Sequence, residues 1–206
     1  MSGTLEQTIF VVDDDAAVCD SIKELVDTVG LRAECYSSAR AFLDAFQPQR
    51  PGCLVLDVRM AQMSGLLLQE RLVQSGARIP IIVLTGHGDV PMAVQAMRRG
   101  AVDFIQKPYR EQVLLDSINT ALAMDAAARR AASATDDLEQ LLAALTERER
   151  EVLEQILSGS TSKETARELG VSPRTVEAHR QNLLHKLGIG NTKELMLRLA
   201  PRVRGT

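Results

Sequence analysis

The chain has no tryptophan, and its six aromatic residues, Phe10, Tyr36, Phe42, Phe46, Phe104 and Tyr109, all precede residue 110. The second half therefore has no ring on which an unpaired base could stack, which argues against single-stranded nucleic acid as its ligand. No apolar run approaches the roughly 20 residues that span a bilayer. Met1 to Thr8 lacks the basic and apolar blocks of a secretion signal. A cytoplasmic protein without a membrane partner is expected. Cysteine is scarce: Cys19, Cys35 and Cys53 follow no metal-site spacing and read as small, reduced core residues. Glycine and proline are absent between Tyr109 and Ser158, and residues 121–134 contain eight alanines. Alanine is the best helix former, so a continuous helix is expected over 111–134, about 36 Å long at roughly 1.5 Å per residue, with Asp136 and Asp137 as the residues that would break it.

What is present divides in two. Of 206 residues, 45% are apolar, enough for a packed core. Residues 1–124 carry net charge −4, residues 125–137 carry −1, and residues 138–206 carry +2. The first part alternates strand-like runs (Thr8–Val12, Arg32–Tyr36, Cys53–Asp57, Ile81–Thr85, Asp103–Gln106) with helical patterns stopped at Gly30, Gly76 and Gly100. Asp89 and Pro91 mark the start of the fourth helix. Near-continuous apolar strands alternating with helices imply a parallel sheet covered on both faces. The expected fold is a flavodoxin-like, doubly wound α/β domain with five parallel strands over 1–124. A helical linker over 125–140 and an all-α four-helix domain over 141–206 follow.

The acids point to a site. Asp13-Asp14-Asp15 follows the first strand and Asp57 ends the third, and in open parallel sheets functional groups gather at that edge. Crowded carboxylates need a cation, a proton or hydrogen bonds to offset them. Asp14 and Asp57 offer hard oxygen ligands to Mg²⁺ (or Mn²⁺), with Asp13 as a second ligand or acting through water. Thr85 places a hydroxyl at the same edge. Lys107 places an ammonium there, and a cis peptide before Pro108 would turn it inward. Carboxylates, hydroxyl and amine on four strand ends suit phosphoryl chemistry, with a carboxylate attacking phosphorus.

In the last part, Thr146 with Glu149, Thr161 with Glu164 and, approximately, Asn191 with Glu194 read as capping boxes, and Ser172-Pro173 as an N-cap with proline behind it. Four helices are expected, at about 146–158, 162–169, 173–187 and 192–199. The short turn between the second and third gives helix-turn-helix geometry. On 173–187, Val176, His179, Leu183 and Leu187 share one face and should pack inward. Glu177, Ala178, Gln181 and His185 share the other, where Gln181 suits adenine and Glu177 cytosine. Lys163, Arg174, Arg180 and Lys186 are candidates for phosphate contacts. Net +2 is a weak footprint for DNA, so two copies on two half-sites are expected.

Taken together, VVDDD (11–15), LVLDVRM (54–60), MSG (63–65), TGHGDVPMAVQAM (85–97), GAVDFIQKP (100–108) and LTERERE (145–151) resemble two-component response regulators of the FixJ/NarL group, with a LuxR-type helix-turn-helix. The resemblance covers Val11 to about Leu199. It implies that Asp57 accepts phosphate from the histidine of a sensor kinase. It also implies that Asp13, Asp14, Asp57 and the Arg59 backbone carbonyl organise Mg²⁺, that Thr85 and Lys107 bind the phosphoryl group, and that Phe104 rotates on activation. Residues 177, 178 and 181 would read bases in double-stranded promoter DNA. Val94 and Arg98 would lie on the face of a phosphorylation-driven homodimer, and RNA polymerase would be a further partner. One departure stands out: the family often has proline where Ala61 lies, and its loss should loosen the loop beside Asp57. A rival reading is a Mg²⁺-dependent phosphohydrolase with Asp13 as nucleophile and Asp15 as acid. Another is a constitutive DNA-binding protein.

Overall fold

The computed structural model describes residues 6–86 and 90–203. Contacts divide the chain into two compact units, Met1–Arg130 and Ala131–Thr206. In the first, strands β1 (Thr8–Val12), β2 (Arg32–Tyr36), β3 (Gly52–Asp57), β4 (Ile81–Thr85) and β5 (Asp103–Gln106) alternate with helices α1 (Ala16–Asp27), α2 (Ala39–Ala45), α3 (Gly65–Gln74) and α4 (Val90–Arg98). Helix α5 (Glu111–Ala143) follows. All strand pairs are parallel in the order β2-β1-β3-β4-β5. The order reverses between β1 and β3, the point where such sheets place their sites.

The period of two along each strand divides the core. Ile9, Val11, Cys53, Val55, Ile82 and Leu84 meet α1 and α5, whereas Phe10, Val12, Leu54, Leu56 and Val83 meet α2 and α3. β3 starts one residue before its expected limit, at Gly52, where a Cβ would lie 1.9 Å from the Thr8 carbonyl oxygen. Of the cysteines, Cys19 and Cys53 are buried, and burial pushes both thiols up to about 12. Cys35 differs from the core reading: it is exposed on β2, a strand paired on one side only. The Asp89 reading lies outside the described residues.

Helix α5 passes Asp136 and Asp137 without a break. An interior aspartate costs a helix only about 0.5 kcal/mol relative to alanine, far below the roughly 3 kcal/mol of proline, and neither glycine nor proline is nearby. Its early turns belong to the first unit past residue 124. Asp125 is 2% exposed, accepts the Gly52 N–H at 3.0 Å and pairs with Arg129 at 2.8 Å. Arg129 also donates to the carbonyls of Pro48, Gln49 and Arg50. Leu138 and Leu142, near its end, pack on the second core.

The second unit adds α6 (Glu147–Leu157), α7 (Ser162–Leu169), α8 (Pro173–Lys186) and α9 (Thr192–Val203). Both boxes form at Thr146/Glu149 and Thr161/Glu164. At Asn191 the arrangement is shifted: Asn191 Oδ1 accepts from the Glu194 N–H, while Glu194 Oε2 accepts from Gly190 N–H. Gly170 caps α7 in the left-handed region (φ 66°), and Ser172 caps α8 ahead of Pro173. Val176, Leu183 and Leu187 are buried as the helical wheel requires, and His179 is half-buried. Among the described residues no helix is long and apolar enough to cross a membrane.

Glu149 joins two helices. Its Oε2 accepts the Thr146 N–H at 2.8 Å and the Lys186 ammonium at 2.7 Å, although the residue is 3% exposed. The Lys186 hydrogen bond holds its carboxyl below the ordinary 4.5. A depressed folded-state value means that the stabilisation is complete above about 4.5 and is lost as pH falls through the lower value. Glu149→Gln is expected to cost the second unit about 1–3 kcal/mol at pH 7. Hydrogen exchange of α6 and α8 amides in the full chain measures this. The gap between variant and parent should close as the pH is lowered into the acid range.

Candidate functional site

The acidic edge is built by chain direction. β1 ends at Val12, and the next three aspartates take three different jobs as the chain turns into α1. Asp13, 3% exposed, accepts the Asp15 N–H on Oδ1 at 3.0 Å and the Lys107 ammonium on Oδ2 at 2.6 Å. Asp14 is exposed, and its Oδ2 accepts the Ala61 N–H at 3.0 Å. Asp15 is the N-cap of α1 and accepts from Ala17 N–H at 2.9 Å. Asp57, at the end of β3, is 6% exposed; its Oδ1 accepts from Lys107 at 2.9 Å and its Oδ2 from the Arg59 N–H at 2.6 Å.

One ammonium thus bridges two buried carboxylates. Burial raises the pKa of Asp57 above the usual carboxylate range, and the Asp13 charge adds to the rise; the Lys107 hydrogen bond and charge oppose it. Burial pulls Lys107 down, but hydrogen bonds to Asp13 and Asp57 outweigh it and leave the amine raised, hence charged. The peptide between Lys107 and Pro108 is cis, as the sequence suggests. Thr85 is fully buried at the end of β4, and its carbonyl accepts the Lys107 N–H at 2.8 Å. Phe104, on β5 opposite Val83, is half-buried against the α2/α3 side of the core.

Two carboxylates against one ammonium, with Asp14 at the exposed mouth, leave an excess of negative charge that suits a small hard cation. Among the described residues no group of three or more acidic, histidine or cysteine side chains is gathered closely enough to hold a metal ion. An ion here would therefore draw on one or two carboxylates and take its other oxygens elsewhere, which is the habit of Mg²⁺. The rival hydrolase finds no support in this geometry. Asp15, the acid that reading needs, is spent on capping α1.

The loop after Asp57, expected to loosen without proline, is crossed by hydrogen bonds. Proline at 61 would have no N–H, whereas Ala61 uses its own on Asp14. Met63 N–H bonds to Ala61 O, and Gly65 N–H to Val58 O. Gly65 itself escaped sequence reasoning beyond its place in a motif. A Cβ there would lie 2.1 Å from the Asp57 carbonyl oxygen and 3.0 Å from Leu56 Cγ. Only a glycine lets the first turn of α3 approach the strand that carries Asp57.

In the second unit, Glu177, Ala178, Gln181 and His185 are exposed along α8, and Lys163 and Arg174 are exposed at the starts of α7 and α8. Two of the expected phosphate contacts have other partners. Lys186 pairs with Glu149, and Arg180 donates to Ser162 Oγ and Thr192 Oγ1. Val94 and Arg98 are exposed on α4.

Residues 9–119 match the family described as response regulator receiver domain, and residues 143–199 match the bacterial regulatory proteins of the luxR family. The transcriptional regulatory protein TdiR of Thauera aromatica is 47% identical over 192 residues, covering 92% of this chain and 83% of the relative. The transcriptional regulatory protein FixJ of Bradyrhizobium diazoefficiens is 40% identical over 199 residues, 97% of each. The solved structure of the response regulator StyR superposes with a TM-score of 0.88 at 42% identity, covering 95% of this chain and 99% of that one. The structure of full-length FixJ from B. japonicum gives 0.59 at 39% identity, covering 98% of this chain and 100% of that one.

Gly65→Ala is expected to destabilise the first unit by about 1–3 kcal/mol, because the added methyl meets backbone that cannot swing aside. A lowered urea midpoint, with shifted amide resonances at residues 57–59, is the measurement. An unchanged midpoint would show that α3 yields freely.

Proposed function

Because the chain belongs to the response regulators that join a receiver domain to a LuxR-type DNA-binding domain, we propose that it is a transcription regulator switched by phosphorylation of Asp57. The observation that carries this reading is the shared Lys107 ammonium between Asp13 and Asp57 at the strand ends. Such regulators are transcriptional and act downstream of a kinase; they are not metabolic enzymes. The chain would work in the cytoplasm, with a sensor histidine kinase as donor and double-stranded promoter DNA as target.

The Asp57 carboxylate attacks the phosphorus of a phosphohistidine. An O–P bond forms, the N–P bond breaks, and the imidazole leaves with the electron pair. Lys107 favours the anionic nucleophile and neutralises the arriving oxygens. Asp14, Asp57 and the Arg59 carbonyl are the groups that would hold Mg²⁺, with Asp13 acting on it through water. The ion, when bound, supplies positive charge to the transferring phosphoryl oxygens. Asp14 accepts the Ala61 N–H on Oδ2, which leaves its Oδ1 for that role.

The product carries nearly two negative charges where the carboxylate carried one. Lys107 and the Thr85 hydroxyl would take the new oxygens, and Phe104, two residues back from Gln106, which pairs with Thr85, would follow the hydroxyl inward. The α4 face with Val94 and Arg98 would then favour a homodimer. Two copies of the second unit would place Glu177, Ala178 and Gln181 in successive major grooves, with Lys163 and Arg174 on phosphates. RNA polymerase would be the next partner. Shifting a largely inactive population needs a few kcal/mol of preference for the phosphorylated active form.

With acetyl phosphate and Mg²⁺, wild-type chain should gain an acid-stable, base-labile phosphate and bind its promoter more tightly, and Asp57→Asn should do neither. Phosphate-dependent binding that survives in Asp57→Asn would sink the reading. Separately, calorimetry should show Mg²⁺ uptake that weakens by roughly tenfold or more in Asp14→Asn.

A further inference from the structure

The exposed acid on the reading helix poses a physical problem. A glutamate facing DNA meets phosphates of its own sign, and an unrestrained one visits many rotamers. Glu177 is neither unrestrained nor alone. Its Oε1 accepts from the hydroxyl of Ser162, the first residue of α7. That same hydroxyl accepts from Arg180 Nη1 at 2.9 Å. Arg180 Nε and Nη2 donate to Thr192 Oγ1, on the first residue of α9, at 3.3 and 3.0 Å. Arg180 Nη1 lies 3.9 Å from Glu177 Oε1, and its side chain is 22% exposed against 54% for Glu177. A cleft beside this chain of bonds is lined by Glu177, Arg180, Gln181, Asn191 and Thr192.

We propose that Ser162 and Thr192, acting through Arg180, are positioning residues that fix the Glu177 carboxylate for reading one base pair. This rests on the DNA-reading role given to Glu177 above. The Ser162 hydroxyl has one proton to give, and it gives it to Oε1. Oε2 has no partner among the described residues and remains an acceptor. A carboxylate only accepts, so it matches the N4 amino group of cytosine and repels the O4 of thymine. The discrimination depends on Oε2 being held in one place, which the Ser162 brace accomplishes from a neighbouring helix. The guanidinium offsets part of the carboxylate charge, easing its approach to the groove. Each of its three nitrogens donates one hydrogen bond within the protein, which fixes the guanidinium beside Glu177.

The test uses the full chain with acetyl phosphate and Mg²⁺, selecting sites from a random double-stranded DNA pool. Wild type, Ser162→Ala, Ser162→Thr, Thr192→Val and Glu177→Ala are compared, with amide exchange of α7 and α8 as the control for folding. Expected is a loss of roughly tenfold in preference for cytosine at one position in Ser162→Ala. Thr192→Val should show a smaller loss at the same position, and Ser162→Thr should behave as wild type. The salt dependence of binding should stay unchanged, because no phosphate contact is removed. If Glu177→Ala relaxes that position while Ser162→Ala and Thr192→Val do not, the brace is refuted and the base-reading role stands. If Glu177→Ala binds DNA with every preference intact, the base-reading role fails and the brace with it. A loss of affinity uniform over all sequences in both brace variants also overturns the proposal, since it assigns them to fold alone.

Discussion

The Lys107 ammonium between Asp13 and Asp57 is the contact on which the first unit turns. Parallel strands deliver their C-terminal residues to one edge, and here that edge collects like charges in a dry place. Burial pushes Asp57 toward its neutral form, and the Lys107 ammonium is the charge that opposes that push. Lysine does so while staying exchangeable. It is a point charge on a flexible stem that can follow whichever oxygens carry most negative charge. A site left with an excess of negative charge suits a small hard cation.

The second unit meets a different constraint. Its surface is only weakly basic, so long-range attraction cannot hold it on DNA unaided. Its short helices are instead set by local hydrogen bonds: two complete capping boxes, the Ser172 cap with Pro173, and Gly170 in the left-handed region. Those devices leave α8 with one apolar stripe inward and one polar face outward. Charge on that outward face is managed locally too, through Ser162, Arg180 and Thr192.

Most of the architecture was legible because it is encoded locally. Apolar runs of four or five residues, glycines at helix ends and Ser-Pro at a helix start each need only a short window of sequence. The five strands and the faces of α8 follow from such windows. The acidic edge was legible as a place, since strand ends converge there by topology. The division of labour inside it was not. Nothing local distinguishes Asp13, facing Lys107, from Asp15, capping α1; the path of the turn decides. Longer-range features were hidden for the same reason. Asp125 and Arg129 hold the 48–52 segment across more than 70 residues of sequence. The nearness of Gly65 to Asp57 depends on how a whole helix docks. Asp136 and Asp137 misled because a modest propensity cost was weighed without the long alanine-rich run around it.

Glu149 illustrates how one side chain can confuse genetics. It closes the cap of α6 and, through Lys186, tethers the end of α8. Alleles at this codon would surface in a hunt for operator-recognition defects, yet the lesion is in the mooring of α8 and not in any touch with a base. Suppressors would then arise in the packing between α6 and α8 and not along the operator, and that signature would separate scaffold alleles from true readers.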